Sequence, residues 1–259
     1  MLRIMISPAK KMHAADDLPV PATVPLFLDH TEALKQYLQE LDYGTLKGIW
    51  KCNDAIAAQN VERLRDMCLT GRVTPAVMAY DGIQYQHMAP EVMTREQLSY
   101  IGRHLYILSG FYGVLHAFDG VVPYRLEMQA KLDWKHGAEH VTSLYDYWGD
   151  RLYRVLTEPE AEKTDPVTIV NLASKEYSKA VEPWLKPDDS VITCVFGEEK
   201  DGAVKVKATA AKMARGSMVR YMAECQAEHI DQLKGFDRMG YQYQECFSDI
   251  HTLVFTRKI

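Results

Sequence analysis

The sequence is poor in cysteine and has no long apolar run. Its 259 residues include five widely separated cysteines, and no C-x-x-C pair occurs among them. An odd, scattered set favours neither a disulfide framework nor a zinc knuckle, and it fits a reducing cytoplasm. No stretch approaches the roughly 18 apolar residues that span a bilayer, and the apolar run at the N-terminus is too short for a signal peptide. We therefore expect a soluble, cytoplasmic protein without a membrane partner.

Motifs that identify several common enzyme classes are also missing. The sequence contains no G-x-x-x-x-G-K-[ST], no G-x-G-x-x-G, no G-x-S-x-G and no H-E-x-x-H. P-loop nucleotide hydrolysis, dinucleotide binding, serine hydrolysis and zinc proteolysis therefore have no motif support. Whether the protein is an enzyme stays open at this point, and no reaction can be named.

Positive charge is in deficit overall. Thirty Lys and Arg residues against 35 Asp and Glu residues give a formal net charge of −5, which argues against binding nucleic acid through bulk charge. One segment is an exception, because no acidic residue occurs from 202 to 223. The segment carries five cations: Lys205, Lys207, Lys212, Arg215 and Arg220. They predict either a solvated basic face or a site for an anionic ligand, which a backbone could approach closely at Gly216.

The hydrophobic pattern predicts an α/β (α+β) fold. We expect a single compact, monomeric domain over residues 1–259, in which helices wrap a mixed sheet. Predicted strands lie at residues 2–6, 77–80, 167–172, 191–196, 203–207, 241–243 and 252–255. Predicted helices lie within 26–68, from a capping box at Thr94 to Gly110, and at 143–156, 175–184 and 208–225. Residues 16–25, with three prolines, are expected to form an extended connector.

A short apolar segment contains two glycines. Residues 108–115 read Leu-Ser-Gly-Phe-Tyr-Gly-Val-Leu and place Gly110 and Gly113 between apolar flanks. In a helix-hairpin-helix, such a turn offers backbone N–H groups to a DNA phosphate. Many helix turns without this function have a similar sequence, and Phe111 and Tyr112 suit packing as well as stacking. The segment therefore leaves both interpretations open.

The segment Pro123-Tyr-Arg-Leu-Glu-Met alternates polar and apolar residues as a short strand would. This pattern places Arg125 and Glu127 on one face, two residues apart. They could form a structural ion pair. Alternatively, Arg125 binds a phosphate or carboxylate while Glu127 orients that ligand or accepts a proton.

Polar residues also follow the predicted strands 2–6 and 167–172. Ser174 is explained by helix capping alone, but strand ends in α/β proteins often bind ligands. We therefore predict a pocket for a small anionic ligand, a nucleotide or a nucleobase. Its candidate residues are Ser7, Lys10, Arg125, Glu127, Asn171, Ser174, Glu176, Lys179 and Lys212.

The histidines give little indication of a metal site. His136 and His140, with Glu139 between them, could bind a metal if they were helical, but Gly137 favours an exposed loop. His104, in the predicted apolar helix, is the one histidine suited to ligate haem. We expect no dedicated iron site, no haem and no other cofactor.

Seven motifs occur in an order that resembles a known family. They are Ile-Ser-Pro-Ala-Lys-Lys-Met (6–12), Tyr-Asp-Gly (80–82), residues 108–115, residues 123–128, Tyr-Trp-Gly (147–149), Asn-Leu-Ala-Ser-x-Glu-Tyr (171–177) and Lys-x-Ala-Arg-Gly-x-Met-x-Arg (212–220). Together they are similar to the YaaA family of peroxide-stress proteins over nearly the whole chain. The resemblance implies cytoplasmic protection against hydrogen peroxide by limiting unincorporated iron. It also implies an α/β fold with a positively charged cleft and a DNA-binding helix-hairpin-helix.

Two functions follow as alternatives. The first is DNA binding with little sequence preference, through a cleft edged by the turn from Gly110 to Gly113. The cleft cations are Lys10, Arg125, Lys205, Lys207, Lys212, Arg215 and Arg220. The second is an enzyme that acts on a nucleotide or nucleobase in the predicted pocket. Burial of Arg125 and Glu127 near Lys10 and Asn171 favours a pocket, whereas exposure along a basic groove favours DNA.

Overall fold

The computed structural model describes residues 1–15, 22–158 and 166–258. Its strands are β1 (Leu2–Ile6), β2 (Lys11–Met12), β3 (Thr74–Pro75), β4 (Tyr80–Asp81), β5 (Leu105–Ser109), β6 (Gly113–His116), β7 (Gly120–Val121), β8 (Lys131–His136), β9 (Glu139–Ser143), β10 (Thr168–Asn171), β11 (Ser190–Lys200), β12 (Ala203–Lys205), β13 (Gln242–Tyr243) and β14 (Thr252–Arg257). Its α-helices are α1 (Leu28–Gln39), α2 (Tyr43–Trp50), α3 (Asp54–Arg65), α4 (Ala76–Ala79), α5 (Ile83–Met88), α6 (Arg95–His104), α7 (Leu144–Trp148), α8 (Arg151–Thr157), α9 (Lys175–Ser178) and α10 (Ala208–Glu224). Short 3₁₀ helices lie at Pro90–Val92, Glu182–Trp184, Ile230–Gly235, Arg238–Gly240 and Glu245–Phe247.

The described residues form a main sheet of eight strands. Seven of them follow the order β13-β14-β11-β10-β1-β5-β6, and β12 pairs with β11. Strands β5, β1, β10, β11 and β14 are parallel, whereas β6, β12 and β13 pair antiparallel to their neighbours. The predicted α/β fold with a mixed sheet is therefore confirmed. All five residues of β1 are buried, as expected for a parallel strand with both faces covered.

The strand order reverses around β1. The next main-sheet strand in the chain, β5, lies on one side of β1, and the later strand β10 lies on the other side, followed outwards by β11 and β14. In open α/β sheets, ligands bind outside the carboxyl ends of the strands at such a reversal. Ser7 and Ser174, which follow β1 and β10, therefore lie where a ligand site is expected.

Helix α10 packs tightly against α5 because Gly216 has no side chain. A Cβ atom at Gly216 would lie 1.9 Å from the carbonyl oxygen of Gln84, so no larger residue fits without movement of a helix. The close approach brings Lys212 and Arg215 beside the start of α5, where they line the same cavity as Gln84.

Three predictions of secondary structure are wrong in the central part of the chain. The helix that begins with the confirmed capping box of Thr94 ends at His104, because Leu105–Ser109 is a strand of the main sheet. A fully buried strand is continuously apolar, so periodicity does not separate it from a buried helix. Residues 76–79, predicted in part as a strand, form α4, and residues 123–128 are neither helix nor strand.

Other elements differ in extent. The predicted helix 143–156 is divided into α7 and α8 at Gly149, which has φ 51°. The predicted helix 175–184 ends at Ser178 and is followed by a 3₁₀ helix that contains Pro183. The β8–β9 hairpin was not predicted. Of the predicted connector 16–25, residues 16–21 lie outside the described part of the chain.

The turn from Gly110 to Gly113 joins two strands, so the helix-hairpin-helix prediction is wrong. It connects β5 to the antiparallel strand β6, and Ser109 lies opposite Gly113. The Oγ of Ser109 accepts hydrogen bonds from the N–H groups of Phe111 (3.2 Å) and Tyr112 (2.8 Å). Both aromatic residues are fully buried. These N–H groups are therefore used inside the core and do not face a DNA phosphate.

Among the described residues, no helix combines the length and the apolar character that a membrane crossing needs.

Candidate functional site

A cleft of about 350 Å³ opens at the carboxyl ends of β1 and β10. Its walls come from the loop after β1, the start of α5, residues 124–127, the segment after β10 and one face of α10. The volume lies within the roughly 300–1,000 Å³ range of small-molecule sites. Eight of the predicted residues line it: Ser7, Lys10, Arg125, Glu127, Ser174, Glu176, Lys212 and Arg215.

Hydrogen bonds between strand ends shape the floor of the cleft. The backbone N–H of Ser174 donates to the Oγ of Ser7 (2.8 Å), and that hydroxyl donates to the Oγ of Ser174 (3.2 Å). The buried Tyr85 hydroxyl donates to the carbonyl oxygen of Ser7 (3.0 Å). The loop after β1 is thus fixed to both β10 and α5.

Glu127 is held by two cations. Its carboxylate lies 2.7 Å from the Nζ of Lys10 and 3.3 Å from the Nη2 of Arg125. The side chains of Arg125 and Glu127 are only 12% and 15% exposed, so this pair does not point into an open groove. Asn171 lies elsewhere, since its amide contacts Thr193 and it lines a separate cavity. The arrangement around Lys10 therefore favours a pocket, although the predicted members Asn171 and Lys179 do not line it.

Glu176 is a half-buried carboxyl group beside this ion pair. Its carboxylate accepts one long hydrogen bond, from the backbone N–H of Gln129 (3.4 Å). Burial raises the pKa of Glu176 above its usual value, and the neighbouring Glu127 carboxylate raises it further, while Lys10 and Lys212 oppose the shift. A carboxyl group with a raised pKa in a cleft is a common property of functional sites.

The cleft wall formed by α5 and α10 carries hydrogen-bond donors that have no partner in the described part of the chain. Gln84 is 6% exposed, and its Nε2 has no partner among the described residues. The Nε of Arg215 is also buried and has no partner within residues 1–15, 22–158 and 166–258, and burial lowers the pKa of this guanidinium. Lys212 is exposed and forms no ion pair within the described ranges. This wall can therefore bind an anion, because unpaired buried donors gain most from an oxyanion partner.

Buried tyrosines lie behind these groups. The Tyr124 hydroxyl bonds to Tyr80 (2.8 Å) and to Ser109 (2.7 Å), and burial raises its pKa to about 12. Tyr124, Tyr85 and Tyr177 line the cleft and stay neutral at physiological pH, since burial also raises the pKa of Tyr85 and Tyr177. The sequence did not mark Gln84 or these tyrosines as site residues, although Tyr124 and Tyr177 lie within two of the motifs that carry the family resemblance.

Comparison with known proteins agrees with the resemblance in the sequence. The family model described as "Peroxide stress protein YaaA" matches residues 2–246. The chain belongs to this YaaA family. YaaA-family relatives named UPF0246 protein cover nearly the whole chain. One from Desulfitobacterium hafniense (strain Y51) is 48% identical over 99% of this chain and 98% of its own length. Another, from Ligilactobacillus salivarius (strain UCC118), is 50% identical over 99% of this chain and all of its own length.

Several other predicted site residues of this YaaA-family protein do not line the cleft. Lys207 pairs with Glu198, and Arg220 pairs with Glu224 (2.8 Å). The remaining residues outside the described lining are Lys179 and Lys205, which are exposed, Asn171, and the buried glycines Gly110 and Gly113. The basic segment after residue 201 is therefore divided: Lys212 and Arg215 enter the cleft, and its other cations lie elsewhere.

The histidines of this YaaA-family protein are also placed. His136 and His140 lie on β8 and β9, on either side of the exposed turn at Gly137, and His140 contacts Asp133 (2.7 Å). The described residues include no group of three or more His, Cys, Asp or Glu side chains placed to hold a metal ion. His104 is buried, stacks on Tyr100, and its Nδ1 lies 2.7 Å from the carbonyl oxygen of Leu2.

Proposed function

We propose that this peroxide-stress protein works by binding a phosphate-bearing ligand in the cleft. One observation carries the proposal: Arg215 Nε and Gln84 Nε2 lie buried in the same cleft wall, and neither has a hydrogen-bond partner among the described residues. Leaving such donors unpaired costs roughly 1–3 kcal/mol each, and more for a charged group. A phosphate supplies acceptors for both donors, and its charge matches the guanidinium.

Lys212 supports the same conclusion. It lies three residues before Arg215 on α10, so the two side chains share a face of the helix. Within the described ranges Lys212 forms no ion pair, and its exposed ammonium stands at the rim of the cleft. A ligand phosphate therefore meets a mobile cation at the entrance and a fixed guanidinium inside.

Calorimetric titration tests this function. We expect the wild-type protein to bind ribose 5-phosphate or nucleoside 5′-monophosphates, and we expect Arg215→Met to weaken binding at least tenfold, because a charge-assisted hydrogen bond contributes about 1.5–3 kcal/mol. Arg220→Met is the matched control, since Arg220 lies on the same helix but pairs with Glu224. Absence of binding, or equal binding by both variants, contradicts the proposal.

DNA binding without sequence specificity is a second proposed function. It is supported by exposed cations at the cleft, Lys10 with a 64% exposed side chain and Lys212, and by the exposed Lys205 of β12. Lys207 and Arg220 contribute less, because acidic partners compensate their charges. The turn from Gly110 to Gly113 has no part in this proposal.

The DNA proposal is tested with duplex and bubbled DNA at two salt concentrations. We expect affinity to fall steeply with salt, because bound phosphates release counterions. Lys212→Glu should weaken binding strongly and reduce the salt dependence, whereas Arg220→Glu should have a smaller effect. If Lys212→Glu binds DNA with the same affinity as the wild type, the cleft does not take part in DNA binding.

We also propose that this activity protects the cytoplasm from hydrogen peroxide by limiting unincorporated iron. The membership in a peroxide-stress family supports this role. The test is whole-cell electron paramagnetic resonance of unincorporated iron after peroxide treatment. Cells that lack the protein should accumulate more iron, wild-type protein should reverse the effect, and Arg215→Met should not. If Arg215→Met fully restores the wild-type iron level, ligand binding in the cleft is not needed for the cellular role.

A further inference from the structure

The cleft has a second polar region whose character is opposite to that of the donor wall. We propose that the Glu176 carboxylate accepts hydrogen bonds from the N–H groups of a nucleobase, so that the ligand is a nucleoside phosphate bound at both ends. This inference rests on the proposed phosphate binding by Arg215, Gln84 and Lys212. It adds the substrate class and names the residue that recognises the base.

Glu176 has acceptor capacity that no other described side chain uses. Among the described residues, three carboxyl groups line the cleft. Asp81 is paired with Lys11 and receives a hydrogen bond from Gln86, and Glu127 is paired with Lys10 and Arg125.

Glu176 differs from those two carboxylates. In the part of the chain that the structure describes, no side chain bonds to its carboxylate, and the single backbone contact is 3.4 Å long. A partly buried carboxylate with free lone pairs is stabilised by an additional donor. The site therefore favours a ligand that brings an N–H group.

The charges around Glu176 also favour a donor. The neighbouring Glu127 carboxylate raises the pKa of Glu176, so the two carboxyl groups are close enough to act on each other, although Lys10 and Lys212 oppose the shift. A ligand phosphate at this position would add a third anionic group, so it is directed towards Arg215 and Gln84 instead. An N–H group is attracted by the same carboxylates. The cleft therefore orients a ligand that has an anionic end and a donor end.

The surfaces between the polar groups of the cleft are apolar or aromatic. The cleft lining includes the apolar side chains of Pro8, Ala9 and Ile83, together with buried tyrosine rings. The flat faces of a nucleobase suit apolar and aromatic surfaces. Its edge carries N–H groups of the kind that a Glu carboxylate accepts, as from the amino group of cytosine. A sugar phosphate that lacks a base can contact the donor wall but has no group to occupy the apolar surfaces or to donate to Glu176.

Ligands that share the sugar phosphate and differ only in the base test the phosphate end and the base end of the cleft separately. Calorimetry should compare ribose 5-phosphate with AMP, CMP and GMP, which carry the same sugar phosphate and an amino-bearing base. We expect at least one nucleotide to bind wild-type protein tenfold or more tightly than ribose 5-phosphate. Glu176→Gln should reduce that ratio to less than threefold while changing the affinity for ribose 5-phosphate less than twofold. Glu182→Gln, a control on the same segment outside the cleft lining, should leave the ratio unchanged.

The pH dependence provides a second measurement. The charged and titratable groups around Glu176 are Glu127, Lys10, Lys212, Tyr145 and Tyr177. An ionised Glu176 carboxylate accepts N–H groups more strongly than the protonated acid, so the nucleotide preference should fall as the pH is lowered from 7.5 towards 5. The phosphate titrates in both ligands and cancels in the ratio. With Glu176→Gln the ratio should stay constant over this range.

The outcomes distinguish the two proposals. If ribose 5-phosphate and the nucleotides bind equally well to wild-type protein, the role of Glu176 is overturned and phosphate binding stands. The role of Glu176 in base recognition is also overturned if Glu176→Gln and Glu176→Ala both prefer nucleotides over ribose 5-phosphate as strongly as the wild type does. If neither ligand class binds a protein whose thermal unfolding is normal, the proposed function itself fails.

Discussion

The Oγ of Ser7 accepts a hydrogen bond from the backbone N–H of Ser174, with 2.8 Å between oxygen and nitrogen. This bond joins the segments that follow the carboxyl ends of β1 and β10. The two residues are 167 positions apart in the chain and lie where the strand order of the sheet reverses. Both residues are also part of the cleft floor. A single hydrogen bond thus connects the stability of the central sheet to the shape of the candidate site.

Ser7→Ala should destabilise the protein by about 1–3 kcal/mol, because it leaves the N–H of Ser174 without its acceptor in a partly buried position. Ser174→Ala keeps that N–H and its acceptor and removes only the 3.2 Å contact between the two hydroxyls, so it should cost less than about 1 kcal/mol. Urea unfolding of both variants measures the difference. Equal losses in the two variants would show that the N–H contact has no special role.

Gly216→Ala should destabilise the protein by about 3 kcal/mol or more, since the new Cβ would lie 1.9 Å from the carbonyl oxygen of Gln84. It should also weaken phosphate binding, because α5 and α10 carry the donor wall. Gly48→Ala is the matched control on the exposed face of α2, where no heavy atom lies within 4 Å of the new Cβ. That change should stabilise the protein by about 0.5–1 kcal/mol. Thermal unfolding and calorimetry of both variants test the contrast, and a stable, ligand-binding Gly216→Ala would contradict the close packing.

Arg215→Met should not lower the stability of the ligand-free protein, although it removes the main phosphate ligand. Burial without a partner disfavours the charged guanidinium, which is the reason for its lowered pKa. A flexible apolar side chain of similar length removes this cost. We expect an unchanged or higher Tm without ligand and a smaller rise of Tm when phosphate compounds are added. A clear fall in Tm without ligand would show that the guanidinium supports the fold.

Glu176→Gln should stabilise the ligand-free protein at neutral pH. The pKa of Glu176 is raised on folding, so its contribution is fully present below the unfolded pKa of about 4.3 and is lost as the pH rises through the folded value. Glu176→Gln cannot ionise, so it does not lose this stability. Its free energy of unfolding should therefore increasingly exceed that of the wild type between about pH 4 and neutral pH. Because solvent screens a half-buried group, the advantage should stay below about 1 kcal/mol. Urea unfolding across this range measures it, and a variant that is less stable than the wild type at pH 7 would contradict the burial of Glu176.

Elements with one clear local signal were predicted well. The strand at Leu2–Ile6, the capping box at Thr94 and the long helix Ala208–Glu224 all appear in the structure. The helix predicted to reach Gly110 is the instructive failure. Its last part, Leu105–Ser109, is a short, continuously apolar run, and pairing with β1 and β6 makes this run a strand. Tertiary pairing decides such segments, because local periodicity is the same for both buried states.

The candidate site likewise contains residues that the sequence singled out and residues whose role depends on tertiary structure. Lys212 and Arg215 belong to the basic segment that the sequence singled out, and both line the cleft. The separation of Lys207 and Arg220 from them depends on Glu198 and Glu224, whose positions follow from the β11–β12 pairing and from the end of α10. Gln84 had no signal in the sequence. Its side chain lines the cleft without a partner for Nε2 among the described residues, and its backbone carbonyl lies at the close contact between α5 and Gly216.

The sequence by itself determined the class of fold, the family and the residue types that the cleft would collect, because these follow from local patterning and from motifs in order. Only the tertiary structure decided which of the charged residues neutralise one another and which remain free. Ion pairs such as Lys10 with Glu127 join residues that are far apart in the chain, and burial depends on the packing of several elements at once. For this reason the unpaired Arg215, the unused acceptor of Glu176 and the buried turn at Gly110 became visible only when the strands and helices were assembled.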